Sequence, residues 1–267
     1  MENSSVSQTS PASPTRFSPD AFRPGALGLA ILLIVVVFGA GIVVAAGVLL
    51  SQAAAHGLSL FDVQRAAASG KLPPYMIMPQ IVIQGIMDIV VAVVLLAMLP
   101  RWAKRSLAQL GFVRPSRHVV LIALAGTIAM FFLADGLSSL IARLLHSSHE
   151  QVAIQMIKQI IHSPGQKFVV ILLTVVVAPI CEEIIFRVFV FNAALRYTGF
   201  WPAAVISGLL FGAAHLDKIA FLPLALGGIV LCYVYYRTGN AYASMISHAG
   251  FNAVPTIALL FFPALAK

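Results

Sequence analysis

The stretch Ala178-Pro179-Ile180-Cys181-Glu182-Glu183-Ile184-Ile185-Phe186-Arg187 sets two carboxylates and a guanidinium inside an apolar run from Phe168 to Leu195. A charge at mid-bilayer costs at least about 2.5–3.5 kcal/mol, so such groups face a bundle interior and serve a function. On a helix, Glu183 and Arg187 are four apart with the acid first, the better order for an ion pair. Glu182 lies about 100° further round. One acid therefore has an obvious partner and the other has none. We read Glu183–Arg187 as structure and Glu182 as the chemical group. Pro179 lacks an N–H and clashes with the carbonyl four residues back, which predicts a kink just before the acids.

The later apolar stretches hold few strongly polar groups. His215 follows Phe211 by four, and Asn252 follows His248 by four, so each pair shares a helix face. If successive spans alternate direction, Arg196, Trp201 and Asn240 lie at one membrane face. Counting inward from them at 1.5 Å per residue puts Glu182 and His215 at about 21 Å, Asn252 at about 18 Å and His248 at about 12 Å. A carboxylate, two imidazoles and an amide on three helices can then meet at one level, as a buried hydrolytic site requires. Each group has a plainer reading. A lone His bridges helices, Asn is interhelical glue and Glu–Arg is a buried pair. Their combination at matched depth favours chemistry. Asp88 and Asp135 have no motif around them and read as packing or cavity-facing groups. His56, His118, His146, His149 and His162 fall in connectors or at span ends and read as water-facing.

The elements that must position these groups are membrane helices. Of 267 residues, 60% are hydrophobic and 10% charged, and the mean hydropathy is +0.96. A soluble domain carries roughly 25% charge. The pattern predicts an all-α, polytopic transmembrane helix bundle of about seven to eight spans. The spans run over 25–50, 75–99, 118–142, 168–196, 201–215, 219–236 and 241–265, each placed by its apolar run. The tail 1–24, rich in Ser and Pro, reads as disordered. Residues 25–142 form an N-terminal set of membrane helices. The connector 143–167 carries Val152, Ala153, Met156, Ile157, Ile160 and Ile161 at helical spacing, which predicts an amphipathic helix on the membrane. Residues 168–265 form the candidate catalytic core. Net charge is +8, but the cations sit between apolar spans, which fits the lipid bilayer as partner and not a nucleic acid. Arg101, Lys104, Arg105, Arg114 and Arg117 share one short loop without an acid. That loop is expected in the cytoplasm, with a cytoplasmic N-terminus, in a multi-pass protein of a bacterial plasma membrane. Cys181 and Cys232 imply neither a disulfide framework nor a Cys–His metal spacing.

Glu182-Glu183-x-x-x-Arg187, Phe211-x-x-x-His215 and His248-x-x-x-Asn252 together resemble the three motifs of the CAAX-processing and bacteriocin-processing (CPBP, ABI-type) intramembrane protease family, which includes the type II CAAX prenyl endopeptidases. The likeness covers about 168–260, and Leu107 to Pro115 resembles the segment preceding the family's core. It implies eight helices where seven are read here. It also implies an endopeptidase acting on a membrane-associated or prenylated protein or peptide. Glu182 and His215 would activate water, His248 and Asn252 would stabilise the oxyanion, and Glu183, Arg187 and Phe211 would support them. No cofactor is favoured. Zinc is the alternative, with Glu182, His215 and His248 as ligands. Against zinc, no His-Glu-x-x-His helix occurs and Asn is a poor ligand. Two other readings stand beside the protease: a non-enzymatic membrane protein of the same fold, such as a bacteriocin-immunity or scaffold protein, and a proton-coupled transporter.

Overall fold

The computed structural model describes residues 24–68, 72–144, 158–160 and 163–262. The expected tail and most of the amphipathic connector, including Val152, Ala153, Met156, Ile157 and Ile161, lie outside the described residues. Residues 158–160 are helical, and Ile160 is buried against Ile77, Val170, Leu259 and Leu260.

Described elements are α1 (Pro24–Ala55), α2 (Leu60–Ala68), α3 (Pro74–Ala103), a 3₁₀ turn (Ala108–Leu110), α4 (Arg117–Met130) and α5 (Gly136–Leu144). Then come α6 (Pro164–Ile171), α7 (Ala178–Glu183), α8 (Asn192–Tyr197), α9 (Phe200–Ala214), α10 (Phe221–Thr238) and α11 (Ala241–Phe261). π-Helical stretches join α4 to α5 (Phe131–Asp135), α6 to α7 (Leu172–Val177) and α7 to α8 (Ile184–Phe191). Among the described residues, six helices are long and apolar enough to cross a membrane, including the continuous run Pro164–Tyr197, called the motif helix below. The protein is an integral membrane protein built as a polytopic helical bundle. Lipid supplies no hydrogen bonds, so spans whose backbone is satisfied internally are what such a sequence can form.

The fifth apolar stretch departs from a full span. α9 has 15 residues. At 1.5 Å each that is about 22 Å, short of the roughly 30 Å hydrocarbon core. His215 is its C-cap, and Leu216 turns the chain with φ +53°. Asp217 Oδ1 then accepts the N–H groups of Ile219 and Ala220 at 3.0 and 3.1 Å before α10 begins. His215 thus sits where a helix ends, not on the flank of one.

Small residues bring the core helices together. A Cβ on Gly208 of α9 would lie 2.6 Å from the Ala225 carbonyl of α10, so only glycine allows this approach. On the other side, Ser247 Oγ of α11 donates to Ala123 O at 2.7 Å, and Thr127 Oγ1 of α4 donates to Ser247 O at 3.1 Å. The loop after α3 is stitched to the core as well. Tyr235 Oη donates to Leu110 O at 2.9 Å, Ala241 N to Gly111 O at 2.9 Å, and Asn240 Nδ2 to Val113 O at 2.8 Å. Phe200, directly after the connector that follows α8, packs its ring 5.0 Å from that of Tyr236 near the end of α10, so the connectors after α3, α8 and α10 share one end of the bundle.

Candidate active site

The motif helix positions the acids through its π register. Pro179 is the second residue of α7, directly after one π stretch, and the acids close α7 directly before the next. The interruption expected at Pro179 therefore takes the form of two widened segments flanking the acids. Widening leaves carbonyls poorly paired within the helix, and neighbouring side chains meet them. Ser207 Oγ donates to Phe186 O at 2.8 Å, and Asn192 Nδ2 reaches Val188 O and Arg187 O at 3.1 and 3.2 Å. Asn252 Nδ2 donates to Thr174 O at 3.0 Å in the first π stretch. Such donors are needed because buried backbone groups have no water to turn to.

Glu183 and Arg187 are fully buried, with Nη1 to Oε1 at 3.1 Å. Nη1 is not aligned for a hydrogen bond, so the contact is a charge pair. Arg187 Nη2 donates to Gly228 O at 3.3 Å, and its guanidinium lies 4.5 Å from the centroid of the Phe211 ring. The same Glu183 oxygen accepts His248 Nδ1–H at 3.0 Å. That bond was not legible in spacing, because the two residues lie 65 positions apart. It fixes the imidazole so that Nε2 points at Glu182 Oε2, 3.8 Å away. Glu182 is only partly buried, its side chain 19% exposed, and Oε2 accepts no hydrogen bond from the described residues.

His215 Nδ1 lies 2.8 Å from Phe211 O. A carbonyl only accepts, so Nδ1 carries the hydrogen and a neutral ring leaves Nε2 with its lone pair. Phe211 meets both imidazoles edge-on, with centroids 4.8 Å from His215 and 5.5 Å from His248. It is a wedge between the two histidines and the arginine. His215, His248 and Asn252 line one small cavity with Met130, Ala134, Leu224, Gly227 and Phe251. Glu182 is not on that lining and reaches the site through His248. The structure thus brings three of the four candidate residues round one space and the fourth within 3.8 Å of one of them. One Asn252 N–H is already spent on Thr174, which leaves the other for the site.

Among the described residues, no three His, Cys, Asp or Glu side chains converge to hold a metal ion. His248 Nδ1 is taken by Glu183 and His215 Nδ1 by Phe211 O, which leaves the Nε2 atom of each ring as the one that could meet a metal or a substrate. Asp88, expected from sequence as a packing or cavity-facing group, lies on α3. It is 5% exposed and stands within electrostatic reach of Glu182 and His215.

Residues 164–254 match the family described as "Type II CAAX prenyl endopeptidase Rce1-like". This matched segment carries the three motifs and is similar to the CPBP family. The chain is 33% identical over 87 residues to "Putative membrane peptidase YdiL" of Bacillus subtilis (strain 168), covering 33% of this chain and 36% of that protein. It is 26% identical over 166 residues to an uncharacterized protein of Mycoplasma capricolum subsp. capricolum, covering 58% of this chain and 48% of that one. The matched stretches therefore span between a third and a half of these relatives. No solved structure matches the chain.

Proposed function

We propose that the chain is an intramembrane endopeptidase that hydrolyses a peptide bond in a membrane-associated or prenylated, CAAX-type protein or peptide. The observation that carries the reading is Glu182 Oε2, which accepts no hydrogen bond from the described residues and lies 3.8 Å from His248 Nε2, on an imidazole locked by Glu183. Glu182, assisted by His215 Nε2, takes a proton from water as its oxygen adds to the scissile carbonyl carbon. The remaining Asn252 N–H, together with His248 Nε2 when that atom carries a proton, faces the oxygen that becomes negative. Preorganised donors in a water-poor site are worth roughly 3 kcal/mol or more there. The C–N bond then breaks, and the proton held by Glu182 passes to the leaving amine. No step is routed through a metal.

The test is a peptide library incubated with purified protein in detergent, with ¹⁸O water present. A cleaved peptide with ¹⁸O in its new carboxylate is expected, and its sequence would define the substrate. A library left intact by the wild type, under conditions where the protein remains folded, would overturn the reading.

A further inference from the structure

α3 carries a buried acid to which the hydrolytic reading gives no task. Asp88 lies near the middle of α3 and accepts a hydrogen bond from Gln84 Nε2, one turn earlier, at 2.8 Å. That donor is a neutral amide. At this level α3 presses directly on the motif helix: a Cβ on Gly85, three residues before Asp88, would lie 2.8 Å from Leu173 Cδ2. α3 also packs against α7, the element that ends in the two acids. From there Asp88 is within charge–charge reach of Glu182, Cys181 and His215. An intramembrane carboxylate is costly and marks function by default. Here it lies within charge reach of both a carboxylate, Glu182, and an imidazole, His215, and a second carboxylate adds to its cost.

We propose that Asp88 is a positioning residue of this same site, its carboxylate held by Gln84 and acting by charge through Glu182 and His215. The proposal rests on the hydrolytic reading above. When the attacking water gives its proton to Glu182 or to His215 Nε2, that pair becomes more positive by one charge. A fixed negative charge on α3 favours the transfer, and does so more strongly in a low-dielectric interior than in water. Asp88 touches neither water nor substrate in this scheme.

Asp88→Asn separates this role from packing, because Asn keeps the shape and the Oδ1 acceptor for Gln84 and loses only the charge. The experiment compares wild type, Asp88→Asn, Glu182→Gln and the double variant in one detergent. Thermal stability is expected to hold or rise in Asp88→Asn, and the change should shrink when Glu182 is already Gln, a non-additive cycle. In cleavage, kcat should fall about ten-fold or more with KM within about two-fold, and Asp88→Glu should recover part of the rate. Additive stabilities, or a wild-type kcat in Asp88→Asn, would overturn the proposal. A wild type that cleaves nothing overturns the hydrolytic reading instead, while the stability cycle still decides whether Asp88 acts on Glu182.

Discussion

Glu182 and Glu183 are neighbours in sequence with different surroundings. Glu183 is wholly buried, pairs by charge with Arg187 and accepts from His248, while Glu182 is partly exposed and accepts from neither. Glu183→Gln should leave Arg187 buried without its counter-charge, a loss of roughly 3–5 kcal/mol. It should also loosen His248. The variant is expected to melt early, and adding Arg187→Met should return part of the stability but little activity, since His248 still lacks its anchor. Thermal unfolding and cleavage of both variants check this. A Glu183→Gln that is fully stable yet inactive would contradict it. The Glu183–Arg187 pair was legible because four-residue spacing on a helix dictates adjacency. The Glu183–His248 bond was not, because it depends on how α11 seats against the motif helix. Asn252 had interhelical glue as its plainer reading, but its partner, the Thr174 carbonyl, became visible only once that carbonyl was known to lie in a π stretch.

At the scale of elements, the apolar runs alone placed the spans, and they missed what interrupts them. π register has no simple sequence period, so the stretches around Pro179 were not predictable beyond an expected break. The end of α9 at His215 was legible, because the apolar run from Trp201 stops there, but the left-handed turn at Leu216 that follows was not. Gly208 is the clearest test of how α9 is held. Gly208→Ala puts a methyl 2.6 Å from a backbone oxygen, and such overpacking costs about 1–3 kcal/mol. A lower melting temperature is expected, with cleavage reduced as Phe211 and His215 shift together. Outside the membrane, α2 opens on a capping box. Ser59 N and Oγ donate to Asp62 Oδ2 at 3.0 and 2.6 Å, and Asp62 N donates to Ser59 Oγ at 3.2 Å. The Ser59 hydroxyl, then its N–H, hold the Asp62 carboxyl below the ordinary aspartate value. A carboxyl depressed in the folded state stabilises above its unfolded pKa and loses that contribution as pH falls through the folded one. Amide exchange in α2 should therefore be slow at neutral pH and faster at strongly acidic pH. Asp62→Asn should flatten that dependence.

For the whole molecule, composition was enough to exclude a soluble domain, and six helices of membrane-crossing length among the described residues agree with it. Orientation rests on charge. Arg101, Lys104, Arg105, Arg114 and Arg117 lie at the end of the bundle where Tyr235 and Asn240 bind the loop, near Arg196 and Arg237. Cations concentrated at one end predict that end in the cytoplasm. A single cysteine placed in that loop, with Cys181 and Cys232 replaced, should resist an impermeant thiol reagent added outside intact cells, and ready labelling would reverse the orientation. The central claim is that Glu182 is the base of a hydrolytic site that works without metal. Its most direct measurement is single-turnover cleavage by metal-stripped wild type and Glu182→Gln, each shown to be folded. The account predicts that stripped wild type cleaves at its full rate and that Glu182→Gln is slower by about 10²–10⁴-fold. Equal rates for the two, or a stripped wild type revived only by zinc, would contradict it.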